Sequence, residues 1–404
     1  MTAAARPAGS VIVVGAGIAG AAAAIAAARL GAAVTVIDAG AGASSLATGA
    51  IDAAWSRADR AEARTPDLSP ASRDVFEALG IYALPPRPAR LVTTAGVVRE
   101  ARGHDAALLD MASIDARTAG KRIAVVRCSR PGWDADVLAS AWGAAWVAID
   151  ARVLKYADER GLPDADFAAR HDDEGRLAWL AERLREALAS RADSGLAGIV
   201  LPPSLGVDRP RSHALSERVG VPCGEPIALP GGPAGLRFEN ARDRAFAAAG
   251  IARVRERVSH AGAASGRWQV TTDEGTVHEA RAVVLATGGL LGGGLEYAPP
   301  EVGAPARPPV RAGIDAPLVL GAHGRPLEAA GSQFGAEPER LAWPFVTDGP
   351  LERAGVLVDQ DGACVDAPRG LFAAGEVLAD APRTWLHALT SGALAGAYAA
   401  RRSG

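Results

Sequence analysis

The chain has 404 residues, enough for one large or two ordinary domains with sizeable hydrophobic cores. Its net charge of −3 and the lack of a basic cluster argue against a nucleic-acid partner, and no apolar run is long enough for a membrane span. The three cysteines, Cys128, Cys223 and Cys364, are far apart, which predicts reduced thiols in a cytoplasmic protein with no zinc site and no iron–sulfur cluster.

The first strand leads into a glycine motif. Residues 11–14 form an apolar, β-branched run typical of a buried parallel strand. Gly15, Gly17 and Gly20 follow with the G-x-G-x-x-G spacing. The first glycine makes a tight turn, the second lets a pyrophosphate approach the backbone, and the third lets helix and strand pack closely. Because the strand is short and runs straight into this motif, we interpret it as a core strand and not as a signal peptide.

The next helix and strand complete a dinucleotide-binding pattern. The helix is expected to point the N–H groups of Ile18, Ala19 and Gly20 at phosphates. The apolar strand over 33–37 ends at Asp38, where a carboxylate can bind the hydroxyls of an adenosine ribose. A glycine-rich turn without a ligand is the alternative. NAD enzymes and flavoproteins share this unit, so the rest of the chain must decide between them.

A small, hydroxyl-rich loop covers residues 39–52. Small residues allow a close approach of the backbone, and hydroxyl groups can donate to phosphate. In many flavoproteins of this architecture such a loop wraps the pyrophosphate and the flavin ring, and a solvated turn is the alternative. The candidate cofactor contacts here are Ala39, Ser44, Ser45, Thr48 and Gly49.

Residues 121–227 alternate strands with helices, which predicts a parallel sheet in an inserted α/β domain. Strands are expected at 123–126, 145–149, 198–201 and 222–227, and helices near 134–143, 175–192 and 212–219. No glycine motif follows the first of these strands, so we expect no nucleotide here. His171, Asp172 and Asp173 are adjacent; a metal site is conceivable, but a solvated loop is the favoured interpretation.

A second nucleotide-fold pattern follows residue 235. A helix over 236–249 precedes a strand ending at Val258, a hairpin over 268–279 and the apolar strand 282–285. This order is typical of flavoproteins with two dinucleotide-binding domains, in which the backbone near Val258 contacts adenine. The strand closes on a turn beside the pyrophosphate, whose candidate contacts are Ala286, Thr287 and Gly288.

The C-terminal stretch favours a flavin. A strand ending in Ala-Gly-Glu places an acceptor near the ribityl hydroxyls. A helix opening at residue 390 would direct its N–H groups and its dipole at the pyrimidine edge of the ring, which stabilises the charge of a reduced flavin. A plain NAD dehydrogenase does not need its last helix to return to the first glycine motif. The candidate contacts here are Gly375, Glu376, Ser391, Gly392 and Ala393.

In the order and spacing of these motifs, the chain resembles the B subunit of the anaerobic glycerol-3-phosphate dehydrogenase, within the flavoproteins that include fumarate reductases. The resemblance covers most of the chain and rests on 15–20, 48–52, 235–237, 284–289, 293–295 and 371–375. It implies a subunit of a membrane-associated complex. In that complex a companion flavoprotein oxidises sn-glycerol 3-phosphate to dihydroxyacetone phosphate, and an iron–sulfur subunit passes the electrons to quinone. The family that this chain resembles is usually described as an FMN protein.

Two features depart from the family pattern. Asp38 and the Val258 region suit an adenosine moiety, so we expect FAD, with FMN as the alternative. The family's glycine-rich run before the last helix is replaced by residues 383–389. His387 and Arg383 are therefore candidate catalytic residues, with His387 as a local acid or base. A histidine that only caps or supports the site is the alternative.

The sequence predicts an α/β fold: a Rossmann-like FAD-binding domain of the two-dinucleotide-binding-domain type with an inserted α/β domain. The flavin domain is expected over 1–100, 235–300 and 355–404, the inserted domain over 101–234 and a loop-rich, substrate-side cap over 301–354. We expect no metal site, no nucleic acid and membrane association only through partners.

Three functions fit these residues. The first is a flavin subunit of a glycerol-3-phosphate-type dehydrogenase, working with a second flavoprotein and an iron–sulfur protein. The second is a free-standing FAD-dependent dehydrogenase or oxidase of another small hydroxy acid or amine, with His387 and Arg383 at the ring. The third is a non-catalytic, flavin-binding structural subunit. Without a cysteine cluster in the chain, electrons must leave through a partner or a diffusible acceptor.

Overall fold

The computed structural model describes residues 9–53, 68–115, 120–189, 195–297, 310–327 and 353–403. They form two compact units. The first unit is built from Met1–Ser44, Leu68–Ala78 and Arg244–Gly404, and the second from Ser45–Asp67 and Leu79–Asp243. No helix in the described ranges has both the length and the apolar character that crossing a membrane requires.

Helices and strands are numbered here in chain order. The helices are α1 Ile18–Arg29, α2 Pro70–Leu79, α3 Met111–Asp115, α4 Ala135–Trp142, α5 Asp164–Ala169, α6 Glu174–Ala189, α7 Ser212–Val219, α8 Pro233–Ala249 and α9 Trp385–Ser403. The strands are β1 Ser10–Val14, β2 Ala33–Ile37, β3 Ala50–Ala53, β4 Tyr82–Ala83, β5 Ala89–Val92, β6 Val98–Asp105, β7 Arg122–Arg127, β8 Trp146–Asp150, β9 Leu196–Val200, β10 Cys223–Gly224, β11 Ala252–Val254, β12 Val258–Ala264, β13 Arg267–Thr272, β14 Val277–Ala280, β15 Ala282–Leu285, β16 Leu295–Tyr297, β17 Val310–Ala312, β18 Leu320–Ala322, β19 Arg325–Pro326, β20 Gly355–Val356 and β21 Leu371–Ala373.

The first unit is built on a parallel sheet with the strand order β11-β2-β1-β15-β21. Its central strands are buried on both faces, which is why they read as continuous apolar runs. Val13 of β1 pairs with Val36 of β2 and Val284 of β15. The predicted hairpin forms the antiparallel ribbon β12-β13-β14 between β11 and β15. The Rossmann-like α/β fold predicted from the sequence is confirmed.

Helix α9 packs along α1 in the first unit. A Cβ added at Gly392 would overlap the carbonyl oxygen of Ala19, and one added at Gly396 would overlap that of Ala23. Residues four apart lie on one face of a helix, so these two glycines let α9 approach the alanine-rich α1 closely. The last helix therefore returns to the first glycine motif, as the C-terminal sequence predicts.

The second unit contains the predicted parallel sheet, with the order β10-β9-β7-β8. Helices α4, α6 and α7 occur where the alternating pattern predicts them. The sheet extends from β7 on one side to β8 and on the other to β9 and β10. The strand order thus reverses at β7. In open α/β sheets with such a reversal, ligands bind at the loops that follow the carboxyl ends of the strands.

The boundary between the units differs from the predicted one. Residues 45–53 and 79–100 lie in the second unit, because β3, β4 and β5 all pair with β6. The single strand expected over 90–98 is a hairpin instead, since Gly96 adopts φ +79° between β5 and β6. Most of the predicted 301–354 cap lies outside the described residues.

A buried charge cluster holds the part of α8 that lies in the second unit, which ends at Asp243. The Arg237 guanidinium donates to Asp105 Oδ2 at 2.6 Å, to Glu225 Oε2 at 2.8 Å and to the Gly206 carbonyl at 2.6 Å. Glu225 Oε1 also accepts the N–H group of Ser204 at 2.6 Å. All three charged side chains are fully buried. The cluster thus joins a helix, the end of β6 and the end of β10.

Candidate functional site

The glycine motif has the geometry of a pyrophosphate turn. Gly15 adopts φ +103°, and a Cβ there would overlap the Ala286 carbonyl oxygen. A Cβ at Gly20 would overlap the Gly15 carbonyl oxygen. At Gly17, by contrast, a Cβ would meet only Ser44 Oγ, 3.2 Å away. Two glycines therefore serve the packing of β1, α1 and β15, whereas Gly17 leaves open the space that a pyrophosphate needs.

The N-terminus of α1 is partly occupied by a side chain of the protein. Ile18 N–H donates to Ser44 Oγ at 3.0 Å. The expectation that the Ile18 N–H group points at phosphate therefore needs correction, because Ser44 caps the helix. Ala19 faces α9, where it meets Gly392, and Gly20 packs on Gly15. Ala19 and Gly20 therefore contribute to the packing that holds the turn.

The loop after β2 divides between the two units. Ser44 stays with α1, whereas Ser45 Oγ donates to the carboxylate of Glu239 on α8. The carbonyl of Gly49, which has φ +93°, accepts the Asp105 N–H group at 2.7 Å, and Thr48 beside it is half-buried. The contacts of Ser45 and Gly49 are thus made within the second unit, to residues distant in the sequence.

Asp38 lies at the end of β2, as predicted, but it already has a partner. Its Oδ2 accepts Arg253 Nε at 2.7 Å, and its Oδ1 accepts Arg253 Nη2 and the Gly40 N–H group, each at 2.9 Å. Arg253 comes from β11, the neighbour of β2. Both Oδ1 lone pairs are used, so one Oδ2 lone pair remains for a ribose hydroxyl. The buried carboxylate required a cation, and nothing in the sequence favours Arg253 over its neighbouring arginines. Ala39, which follows, is exposed.

We expect Asp38→Ala to weaken FAD retention about tenfold while the fold persists, because the ribose loses its acceptor at a cost of about 1–2 kcal/mol. The flavin-to-protein absorbance ratio after gel filtration measures this. Asp359→Ala is the matched control, because it alters a carboxylate that accepts the nearby backbone N–H groups of Asp361 and Ala363. Unchanged flavin occupancy in Asp38→Ala would contradict the ribose assignment.

Two predicted turns meet beside the glycine motif. Ala286 N–H donates to the Val14 carbonyl at 2.8 Å, which fixes the turn after β15 next to the one after β1. Thr287 and Gly288 pack on Gly294, which has no room for a side chain. A Cβ at Gly289 would lie 3.1 Å from Glu376 Cβ and 3.3 Å from its Oε2.

Within the first unit, the Ala-Thr-Gly-Gly turn and the Ala-Gly-Glu turn therefore converge, although they are far apart in sequence. Val258 begins β12 opposite Thr272, with its side chain in the core.

The last helix begins five residues before the predicted start at residue 390. Helix α9 begins at Trp385, with Thr384 as its cap: Thr384 Oγ1 accepts the His387 N–H group at 3.3 Å. The hydroxyl groups of Thr390 and Ser391 bond back to carbonyls one turn earlier, so they sit inside the helix. Ser391, Gly392 and the fully buried Ala393 therefore present no free helix end.

Ser391 has a different role, which the sequence did not reveal. Its Oγ accepts the Gly375 N–H group at 3.0 Å while donating to the His387 carbonyl at 2.7 Å. This hydroxyl joins α9 to the Ala-Gly-Glu turn. The helix end that could face a flavin is consequently the segment 384–387.

The candidate catalytic pair lies at that helix end. Arg383 Nη2 donates to the Ala354 carbonyl at 2.8 Å. His387 is half-buried, and its Nε2 is buried without a hydrogen-bond partner in the described ranges. Desolvation, with a smaller contribution from the Arg383 charge, lowers the pKa of His387. A neutral imidazole with an unfilled nitrogen is suited to accept a proton.

The environment of His171, Asp172 and Asp173 differs from the solvated loop that the sequence favours. His171 is fully buried and its Nδ1 bonds the Phe167 carbonyl at 3.2 Å, so it is not in a solvated loop. Asp172 accepts the N–H groups of Val207 and Asp208, each at 3.0 Å, and Asp173 caps the first turn of α6. Among the described residues no cluster of His, Cys, Asp and Glu is arranged to hold a metal ion.

Comparison with known proteins identifies a domain family for part of the chain. Residues 10–103 match the FAD binding domain family. No curated protein matches the chain.

Several solved structures are similar. A thioredoxin reductase from Gloeobacter violaceus is 14% identical over 97% of this chain and 94% of its own, with a TM-score of 0.32. HpxO of Klebsiella pneumoniae, solved with FAD, is 13% identical over 97% of this chain and 81% of its own, with a TM-score of 0.33. The Diels-Alderase PyrE3 is 13% identical with a TM-score of 0.26, and the match spans 69% of this chain but only 32% of that protein's length.

The family match identifies the cofactor, and the open approach at Gly17 is compatible with it because FAD carries a pyrophosphate. The matched residues contain β1, α1, β2 and the loop that follows, which are the parts that carry the pyrophosphate turn. FAD, and not FMN, is the group that this match supports. The chain therefore contains an FAD-binding domain.

Proposed function

We propose that this chain is the flavin subunit of a dehydrogenase complex of the anaerobic glycerol-3-phosphate type, working with a second flavoprotein and an iron–sulfur subunit. The observation that carries the proposal is the convergence, within the first unit, of both glycine turns, Glu376 and the second turn of α9, where Ser391 accepts the Gly375 N–H group. The motifs of the resemblance also lie at constrained positions. A Cβ at Gly235 would overlap the Ser45 carbonyl oxygen, and Arg237 is the centre of the buried charge cluster.

In this proposal each residue has a distinct task. The open Gly17 turn admits the pyrophosphate, one Asp38 oxygen accepts from the ribose, and Glu376 accepts from the ribityl hydroxyls. The dipole of α9 favours negative charge near residues 384–387. FAD, when bound, supplies a two-electron acceptor.

Electrons must leave the flavin for another protein or a diffusible acceptor. Burial raises the pKa of the thiols of Cys128, Cys223 and Cys364 to about 12, so they stay protonated, and they form no disulfide. An iron–sulfur partner at the inner face of the membrane would receive the electrons and pass them to quinone. Membrane association of this chain would then occur through its partners.

The test is the absorbance spectrum of the purified full chain, with identification of acid-released flavin by chromatography and anaerobic addition of glycerol 3-phosphate. Bound FAD that bleaches only when the companion flavoprotein and iron–sulfur subunit are added supports the proposal. Bound FAD that no donor reduces, with or without partners, would favour a non-catalytic structural subunit. Absence of any flavin, also after assembly with the partners, would contradict the central assignment.

A second candidate is a free-standing FAD-dependent dehydrogenase or oxidase of another small hydroxy acid or amine. The buried Nε2 of His387, which has no hydrogen-bond partner among the described residues, favours this candidate. A proton acceptor beside the flavin ring would serve a substrate that is oxidised in this chain. Arg383, just before the helix, would then orient an anionic substrate.

For this candidate we expect His387→Gln to slow reduction of the flavin by about 100-fold or more. His260→Gln, which changes an exposed histidine paired with Asp315, is the control and should leave the rate unchanged. Because desolvation lowers the pKa of His387, the wild-type rate should rise with pH and level off below the ordinary histidine value of about 6.5. Equal reduction rates in wild type and His387→Gln would remove this histidine from the chemistry.

A further inference from the structure

Three cations surround one indole ring in the second unit. The Arg176 guanidinium carbon lies 4.4 Å from the centroid of the Trp179 ring, the Lys155 ammonium 5.9 Å and the Arg152 guanidinium carbon 6.0 Å. Trp179 and Arg176 belong to α6, and Arg152 and Lys155 to the segment after β8. Each cation gains from the ring, but three like charges this close repel one another.

Among the described residues, a carboxylate compensates only one of the three charges. Arg176 Nη2 pairs with Glu159 Oε2 at 2.9 Å. Within the described part of the chain, Arg152 donates only to the carbonyls of Leu154 and Lys155, at 3.4 and 3.3 Å. In the described ranges no carboxylate lies within ion-pair distance of Arg152 or of the Lys155 ammonium. The cluster therefore carries an excess positive charge.

Arg176, the cation that is paired with Glu159, is also buried, and two of its hydrogen-bond donors have no partner among the described residues. The Arg176 side chain is only 6% exposed, yet its Nε and Nη1 have no hydrogen-bond partner in the part of the chain that the structure describes. Burial lowers the pKa of Arg176, with Glu159 opposing this effect. A buried guanidinium with open donors is costly, and such donors in folded proteins are normally filled by water or a ligand.

The cluster lies on the carboxyl-end side of the second unit's sheet, beside its edge strand β8. Arg152 and Lys155 follow the carboxyl end of β8. Helix α6, which carries Arg176 and Trp179, is the last helix before β9. In open parallel sheets the carboxyl ends of the strands form the binding edge. Arginine and lysine side chains with uncompensated charge are suited to an oxyanion carried by a small molecule, and the negative face of the indole helps to hold these cations in place.

We propose that Arg152, Lys155 and Arg176, with the indole of Trp179, form an oxyanion site in the second unit that takes a small phosphate- or carboxylate-bearing molecule. The ligand's oxygens would fill the donors of Arg176 and neutralise Arg152 and Lys155. The proposal is independent of the dehydrogenase assignment, since none of these residues belongs to the flavin-binding motifs.

The test is isothermal titration calorimetry of the full, FAD-loaded chain with inorganic phosphate and, separately, with citrate, in a buffer of low ionic strength. We expect saturable binding of one equivalent of at least one anion. Binding of phosphate alone would identify a phosphate ligand, and binding of citrate alone a carboxylate ligand. The double variant Arg152→Gln/Lys155→Gln should bind at least about tenfold more weakly.

Arg183→Gln is the matched control, because Arg183 lies on the same helix but is paired with Glu182 and Glu186. It should bind like the wild type. All variants should give the circular dichroism spectrum and the urea denaturation midpoint of the wild type, which shows that the second unit folds. An absence of saturable binding, or equal weakening in the double variant and in Arg183→Gln, would overturn the site.

Discussion

Replacing Gly17 with alanine is expected to deprive the chain of FAD without unfolding it. Gly17 has φ −66° and ψ −176°, which alanine adopts without strain, and the added Cβ would meet only Ser44 Oγ. The fold should persist, because only the Ser44 side chain, 3.2 Å from the added Cβ, has to shift to make room. The same methyl group would stand between the backbone and the pyrophosphate, so FAD retention should fall at least about tenfold.

Gly20→Ala is the matched comparison. Its Cβ would overlap the backbone oxygen of Gly15, which cannot move without displacing β1. We expect this variant to lose about 3 kcal/mol of stability or to fail to fold. Urea denaturation of the apoproteins and the flavin-to-protein ratio of the holoproteins separate the two effects. Full FAD retention in Gly17→Ala would contradict the pyrophosphate site.

Arg237→Met is expected to destabilise the second unit by about 3–5 kcal/mol, because it leaves Asp105 and Glu225 buried without their cation. Methionine keeps an unbranched apolar chain in the space of the arginine stem. Arg127→Met removes a guanidinium that also holds two carboxylates, Asp136 and Asp150, but is 41% exposed. Its cost should stay within about 1 kcal/mol. Urea denaturation at neutral pH measures both.

The loss in Arg237→Met should depend on pH. Burial raises the pKa of Glu225, an effect that Arg237 opposes in the wild type. Without Arg237 the folded-state pKa of this carboxyl lies further above its unfolded value of about 4.3. A raised carboxyl pKa stabilises the fold below the unfolded pKa, and this contribution is lost as pH rises through the folded one. The deficit should therefore be smaller at pH 5 than at pH 8; equal deficits in Arg237→Met and Arg127→Met would exclude the cluster as the cause.

The sequence by itself determined the elements and the order of the first unit's nucleotide fold. Local patterns are enough there, because a β-branched run, a glycine turn and an alanine-rich helix each favour one structure whatever surrounds them. The strands and helices of residues 121–227 followed from alternation in the same way. FAD was expected from Asp38 and the Val258 region, and the family match to residues 10–103 agrees with it.

Only the tertiary structure decided which groups are partners. Arg253 reaches Asp38 from 215 residues away, and Ser45 meets Glu239 across 194 residues. The start of α9 at Trp385 was missed because the hydroxyl groups of Thr390 and Ser391 look like a helix cap in sequence, yet bond back within the helix. The burial of Arg237 and the grouping of cations around Trp179 were equally hidden. Charge compensation is a matter of distance in space, and a sequence records only distance along the chain.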